Sequence, residues 1–406
     1  MPWFLIIVLL GSTTINYIDR ISISVLAPTL RDEFDLSNSD YAFVLNCFQI
    51  AYVIFYSVGG RLGDRWGARL ALSIYVVWWS LAGMLHSFTA GLVSLAVFRV
   101  LLGMGEGGTW PVVMKAVAQY TPGPMRAMAM GIVNNGAAVG AVAAPPMIAF
   151  ITVRWGWQAA FLVTGALGIL WLPFWLQASK RPIPRQEPAA TYKGLSWIQL
   201  LRYRQNWAMF FCRLIGDPMY GFYLFWLPEY LTRERGLDLS EMSAVAWIPF
   251  VAADVGNLLG GGLTSWLINR GWTIHRARRV VMWIFAIGTT VGMAAPFVES
   301  LQLNVAILAL TCMCYMTWSV NTVAMPSDYF SPPNQGTVMG LSGTGSGTGI
   351  FLINNIVGKV LDRTGSYRAV FIGVGLLVTT SQTVLTLLGG PIRRVDSDEP
   401  GKPTSQ

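Results

Sequence analysis

The sequence predicts an all-α integral membrane protein whose twelve transmembrane helices form two pseudo-symmetric six-helix bundles. Three observations carry this expectation. The 406 residues are 54% hydrophobic and only 12% charged, against roughly 25% charged in ordinary soluble domains. Apolar runs of the roughly 20 residues that a bilayer crossing needs recur along the chain. Short patterns in the first half return in order in the second. Mean hydropathy is +0.51, and a soluble chain this apolar would lack polar surface to cover itself. The seventeen tryptophans fit, since indole rings favour the membrane interface.

Spans are expected near 3–28, 41–61, 70–88, 92–119, 125–150, 157–178, 206–232, 241–268, 279–298, 302–326, 335–360 and 367–390. The first run has no basic leader and no small-residue cleavage site, and it continues through Arg20, so it reads as a span and not a signal peptide. Segment 179–205 differs. Lys180, Arg181, Arg185, Lys193, Arg202 and Arg204 stand there among prolines. The expected organisation is a first bundle over 1–178, a cytoplasmic linker over 179–205, a second bundle over 206–390 and a cytoplasmic tail over 391–406. The excess of Lys and Arg in the linker, the tail and alternate loops then predicts an inner (plasma) membrane protein with both termini cytoplasmic. The net charge of +8 is mostly this topology signal. No basic soluble domain is present to bind nucleic acid. Cys47, Cys212, Cys312 and Cys314 all fall in apolar stretches, and His86 and His275 stand far apart. No disulfide framework, metal site or cofactor is expected. A monomer in the lipid bilayer is the expected state.

The halves echo each other. Tyr120, Met130-Gly131, Gly136 and Gly140 recur as Tyr329, Met339-Gly340, Gly345 and Gly349 at one constant offset. Trp157-x-Ala159-x-Phe161 returns as Tyr367-x-Ala369-x-Phe371, and Asp35-Leu36-Ser37 as Asp238-Leu239-Ser240. Parallel repeats of this kind rock about a midplane site, which gives alternating access.

Between the second and third spans stands Gly60-Arg61-Leu62-Gly63-Asp64-Arg65-Trp66-Gly67-Ala68-Arg69. Its glycines allow a tight turn and close helix packing. Asp64 can cap a helix or pair with a base. This decapeptide resembles the G-x-L-x-D-R-x-G-x-[RK] loop of the major facilitator superfamily. The second half holds a decayed copy, Gly261-Gly262-Leu263-Thr264-Ser265, with Ser265 where the Asp would be.

Charge inside the membrane is the most informative feature. Asn16, Tyr17, Asp19 and Arg20 interrupt the apolar first span. A charge there costs on the order of 2.5–3.5 kcal/mol and usually faces a cavity. Tyr17 and Arg20 share a helical face, while Asp19 points about 100° away from Arg20. Arg99 and Glu106, seven apart in the fourth span, share a face between glycines. Tyr52 adds a polar aromatic at membrane depth. A guanidinium such as Arg20 can grip a carboxylate with two parallel donors. Asp19 and Glu106 are candidate proton carriers, with Arg99 able to hold one carboxylate until a proton replaces the pairing. The competing reading of these groups is a buried structural ion-pair network. Arg213 and Asp217, four apart, are expected as an ion pair near the inner end of the seventh span.

Asn16-Tyr17-x-Asp19-Arg20, Tyr52, and Phe98-Arg99 through Glu106-x-Gly108-x-x-Pro111 resemble the anion:cation symporter family within that superfamily. Gly140-Ala141-x-Ala143-Ala144-Pro145-Pro146 and Phe225-Trp226-Leu227-Pro228 are most similar to its hexuronate branch. The resemblance implies that Asp19 and Glu106 take up protons, that Arg99 modulates Glu106, and that Arg20, Tyr17 and Tyr52 contact a sugar acid. In the galactonate branch a Gln of the fifth span contacts substrate. Ala137 stands at the matching place, a departure that either enlarges the pocket or shifts that contact to Asn134 or Asn135. Ser342 and Thr344 match a hydroxyl pair that meets substrate, and Asn354 is a further candidate.

The leading expectation is a proton-coupled symporter importing an organic anion, a sugar acid such as a hexuronate, aldonate or aldarate. A proton-antiporting exporter and a sodium-driven organic-anion or phosphate carrier are the alternatives on the same fold. An enzyme is not expected. No Ser-His-Asp set is available, and the glycine-rich stretch Gly340–Gly349 lies inside a span and not between strand and helix.

Overall fold

The computed structural model describes residues 2–121, 126–180 and 195–395. Arg181, Arg185 and Lys193 of the expected linker, and Lys402 of the tail, lie outside them. The described chain is helical throughout. Its first half comprises α1 (Pro2–Val25), α2 (Ala27–Phe34), α3 (Asn38–Trp66), α4 (Ala68–Leu85), α5 (Leu92–Tyr120), α6 (Arg126–Asn134), α7 (Gly136–Trp155) and α8 (Trp157–Ala178). After α9 (Trp197–Leu200) come α10 (Arg204–Gly216), α11 (Pro218–Arg233), α12 (Leu239–Ala246), α13 (Ile248–Asn269), α14 (Ile274–Gly288), α15 (Leu301–Tyr329), α16 (Pro332–Thr364) and α17 (Arg368–Gly389).

Among the described residues, 10 helices are long and apolar enough to cross a membrane. Two other expected spans differ for identifiable reasons. The one over 206–232 is divided at Asp217 into α10 and α11. The one over 335–360 is a single helix, α16, diluted by the polar, glycine-rich stretch from Gly340 to Gly349.

The repeat is present in three dimensions. α5 and α15 each have 29 residues, and they end on Tyr120 and Tyr329. Gly136 and Gly140 of α7 lie so close to α1 that an added Cβ would stand 2.6 Å from the carbonyl oxygens of Leu10 and Thr14. Gly345 and Gly349 of α16 meet α10 in the same way, with 2.4 Å to the Phe210 oxygen and 2.1 Å to that of Leu214. Phe210 and Leu214 stand two hundred residues after Leu10 and Thr14, so α10 is the second-half counterpart of α1. One expected echo is not equivalent. α3 is capped by Ser37 in a capping box with Asp40, whereas α12 is capped by Asp238 in a box with Glu241. Asp35-Leu36-Ser37 and Asp238-Leu239-Ser240 therefore enter their helices two residues out of register.

The loop motif is mostly helix. α3 runs through Asp64 to Trp66, and Gly67 alone makes the turn into α4 with φ +79°. Only glycine adopts that conformation without strain. Lys115 Nζ donates to the Gly63 carbonyl (3.0 Å) and Trp175 Nε1 to that of Arg69 (3.1 Å), while Arg65 and Arg69 are exposed.

Two compact units are formed. One comprises Met1–Glu187, Leu224–Trp247 and Asn354–Gly365; the other comprises Pro188–Tyr223, Ile248–Ile353 and Ser366–Gln406. They differ from the expected bundles in that α12 and parts of α11 and α16 join the first unit. Polar contacts explain this. Arg31 pairs with Glu229, and Arg233 with Asp32 and Glu229. Asp362 accepts from the backbone amides of Asn38 and Ser39, both at 2.9 Å. Those amides are the free donors at the start of α3, where a carboxylate also meets the positive end of the helix dipole.

Within the first unit, α3 and α5 touch backbone to backbone. A Cβ on Gly103 would lie 2.5 Å from the Phe48 oxygen, and one on Gly107 2.5 Å from that of Tyr52. Gly107→Ala is therefore expected to force the helices apart and to destabilise the protein by about 1–3 kcal/mol. Thermal unfolding of the purified variant checks this, and an unchanged Tm would contradict the packing.

Candidate functional site

The α3–α5 contact sets the site. It places Phe48 and Tyr52 of α3 beside Glu106 of α5, and α1 delivers Arg20 to the same place. Arg20 donates from Nε (3.1 Å) and Nη2 (2.9 Å) to a single oxygen, Glu106 Oε2. Its guanidinium carbon lies 4.4 Å from the Tyr52 ring centre, 5.0 Å from that of Tyr17 and 5.2 Å from that of Phe48. Such cation–π contacts strengthen where water is excluded. The Glu106 side chain is fully buried, and that of Arg20 is 12% exposed. Asn16, one turn before Arg20, offers its side-chain oxygen at 3.5 Å.

Asp19 is separate from this pair. It is buried on the side of α1 that meets α4 and α8, and a Cβ on Gly83 would lie 3.8 Å from its Oδ1. Neither of its oxygens has a well-formed hydrogen bond among the described residues. The charged groups acting on it are Glu106 and Arg99.

Arg99 is fully buried, and none of its three guanidinium nitrogens is hydrogen-bonded among the described residues. It stacks 4.6 Å above the Phe48 ring. Arg99, expected to hold one of the two carboxylates, makes no ion pair with Glu106 among the described residues. Seven residues along a helix put about 10 Å between them, and Arg20 reaches Glu106 from another helix. Phe48 thus lies under both arginines. It was missed in the sequence, although it stands one turn before Tyr52.

The remaining candidates divide. Asn134 and Asn135 are exposed at the junction of α6 and α7, where Asn135 forms the turn. Ser342 and Thr344 belong to the second unit, and their hydroxyls donate to carbonyls of their own helix, Met339 (2.9 Å) and Gly340 (3.1 Å). Thr344 is exposed. Asn354 is fully buried; its oxygen accepts from Trp226 Nε1 (3.2 Å) and its nitrogen donates to Asn46 (3.3 Å). That amide is occupied in joining α16, α11 and α3.

The geometry is a largely buried ion pair ringed by aromatics inside a bundle of apolar helices, with a second carboxyl and a second guanidinium close by. The family model of the Major Facilitator Superfamily matches residues 9–353. The chain belongs to the Major Facilitator Superfamily. It is a multi-pass membrane transporter and not an enzyme. Among curated relatives, the hexuronate transporter of Escherichia coli K12 is 28% identical, with 93% of each chain covered. A Cupriavidus necator protein named "Probable sulfoacetate transporter" is 30% identical, covering 95% of this chain and 93% of its own. Among solved structures, a bacterial homolog to the human lysosomal transporter Spinster, inward-facing and occupied, superposes with a TM-score of 0.80. It is 18% identical, covers 96% of this chain and 97% of its own, and so supports the fold alone.

Proposed function

We propose that this transporter is a proton-coupled symporter that brings a sugar-acid anion across the inner membrane by alternating access. The observation that carries the reading is the Arg20–Glu106 pair. Because Arg20 bonds Glu106 alone among the described carboxylates, it has two possible partners, Glu106 and a substrate carboxylate. A proton on Glu106 removes its charge and frees the Nε/Nη2 edge of Arg20 for the incoming anion. Tyr17, Tyr52 and Phe48 offer ring faces to the sugar carbons and hydroxyls. Asp19 takes the second proton beside Gly83 and the Thr164 hydroxyl, because a buried carboxylate with so few donors is costly while charged. Arg99 answers electrically to both carboxyls without bonding either. Asn134, Asn135, Ser342 and Thr344 are further substrate contacts in this proposal. The matches to hexuronate, galacturonate and glucarate transporters support the sugar-acid class.

Two measurements test it. In a thermal-shift screen of the purified protein, a hexuronate, aldonate or aldarate is expected to raise Tm, since a ligand stabilises the state it binds. In proteoliposomes, an inward proton gradient is expected to drive accumulation of that ligand. Accumulation under a sodium gradient alone would point to the sodium-driven carrier, and proton-driven extrusion to the exporter.

A further inference from the structure

The helix pair α10–α11 is interrupted at its middle. α10 contributes 13 residues before Asp217 and α11 contributes 16 after it. Pro218 has no amide hydrogen to continue the helical ladder. Interrupted helices are tolerated at membrane depth where they line a cavity, and there they form ion and substrate sites. Arg213 and Asp217 make the expected ion pair, with Nε to Oδ2 at 2.8 Å, but at this break and not near the end of the span.

The pair is asymmetric in a way that matters. Both oxygens of Asp217 are committed, one to Arg213 and the other to the Tyr315 hydroxyl at 3.1 Å. Arg213 is committed through Nε only. Its two terminal nitrogens donate no hydrogen bond to the described residues, and its side chain is 23% exposed. A structural pair in the same unit looks different. Arg278 pairs with Asp328 and also donates to Asn321. Beside Arg213 an aromatic platform is built, with Tyr220 stacked on Tyr315 at 5.2 Å with an interplanar angle of 5°, and Tyr315 against Trp318 at 5.9 Å. The repeat adds a second line of support. By the two-hundred-residue correspondence of α1 and α10, Asp217 stands at the level of Tyr17 and Tyr220 at the level of Arg20.

We propose that the open edge of Arg213 is an anion-binding position of the second unit, taking a carboxylate or sulfonate group, with Asp217 and Tyr315 as its positioning residues. The choice of sugar acids as probes rests on the function proposed above. The planar fork of an arginine held by Nε presents two parallel donors, which match the two oxygens of such a group.

The test combines affinity and labelling. Arg213→Gln with Asp217→Asn removes both charges together and leaves no unpaired buried ion. Its Tm without ligand is expected to stay near that of the parent, and its Kd for galactarate, which carries a second carboxylate besides the one assigned to Arg20, to rise about tenfold or more. On the unaltered protein, phenylglyoxal modification of Arg213, read by peptide mass spectrometry, is expected to be slowed by galactarate or sulfate and not by glucose. Parent-like affinity in the double variant, or Arg213 labelling indifferent to every anion, would overturn the proposal. Labelling decides the matter if the double variant does not fold. If sulfate protects Arg213 but no sugar acid binds, the sugar-acid reading falls and this one stands.

Discussion

Glu106→Gln is expected to abolish proton-driven accumulation of the substrate while preserving binding and substrate exchange. Gln keeps the shape of the side chain but carries no charge and takes up no proton, so Arg20 is permanently released from its 2.9 Å partner. In the parent, anion binding should strengthen on acidification as protons displace the pair. In the variant it should be strong at every pH. The effect on accumulation is large because one pH unit is worth 1.36 kcal/mol, about tenfold in gradient for each coupled proton. Asp19→Asn is expected to remove the other proton and a similar factor, without altering the Arg20 pair, because Asp19 lies on the α4–α8 side. Uptake into proteoliposomes at a fixed pH difference, beside counterflow at equal pH, measures both. Full driven uptake in both variants would remove the two carboxyls from the coupling.

Arg20→Lys is the second large effect. Lysine keeps the charge but loses the planar edge formed by Nε and Nη2. Its compact ammonium also sits less well over the rings of Tyr17, Phe48 and Tyr52. Substrate affinity is expected to fall about tenfold or more. Part of any loss could arise from a poorly matched Glu106, and the double variant Arg20→Lys/Glu106→Gln separates the two. If the substrate itself needs the guanidinium, the double variant stays weak. If affinity returns with Glu106 neutralised, the pair alone was responsible and Arg20 does not touch the anion. The non-additivity of this cycle gives the Arg20–Glu106 coupling directly.

The helices were legible because apolar runs of bilayer length leave little else for the chain to do. The repeat was legible because glycines at close crossings tolerate no substitute. Gly136, Gly140, Gly345 and Gly349 marked it, and each lies against a carbonyl of a neighbouring helix. Periodicity along one helix gives a face, but it does not say which helix stands opposite. For this reason the face shared by Arg99 and Glu106 did not show that Glu106 pairs with Arg20, across from α5 to α1. The same blindness hid Phe48, which reads as an ordinary core residue until two arginines are found above it. The break at Asp217 did leave a signal, Gly216-Asp217-Pro218, which is turn chemistry inside a span. The contacts of Arg31 and Asp362 left none, because their partners stand 198 and 324 residues away.

Those last contacts bear on how the protein is made. The donors of Arg31, Asn38 and Ser39 leave the ribosome long before Glu229 and Asp362 exist to receive them. At about 5–20 residues per second, the wait for Asp362 is on the order of tens of seconds. The first six helices are thus inserted into the lipid with one end unfinished. Water or an insertion factor must satisfy the amides at the start of α3 until α16 arrives, and a nascent chain arrested before residue 354 would keep that end open.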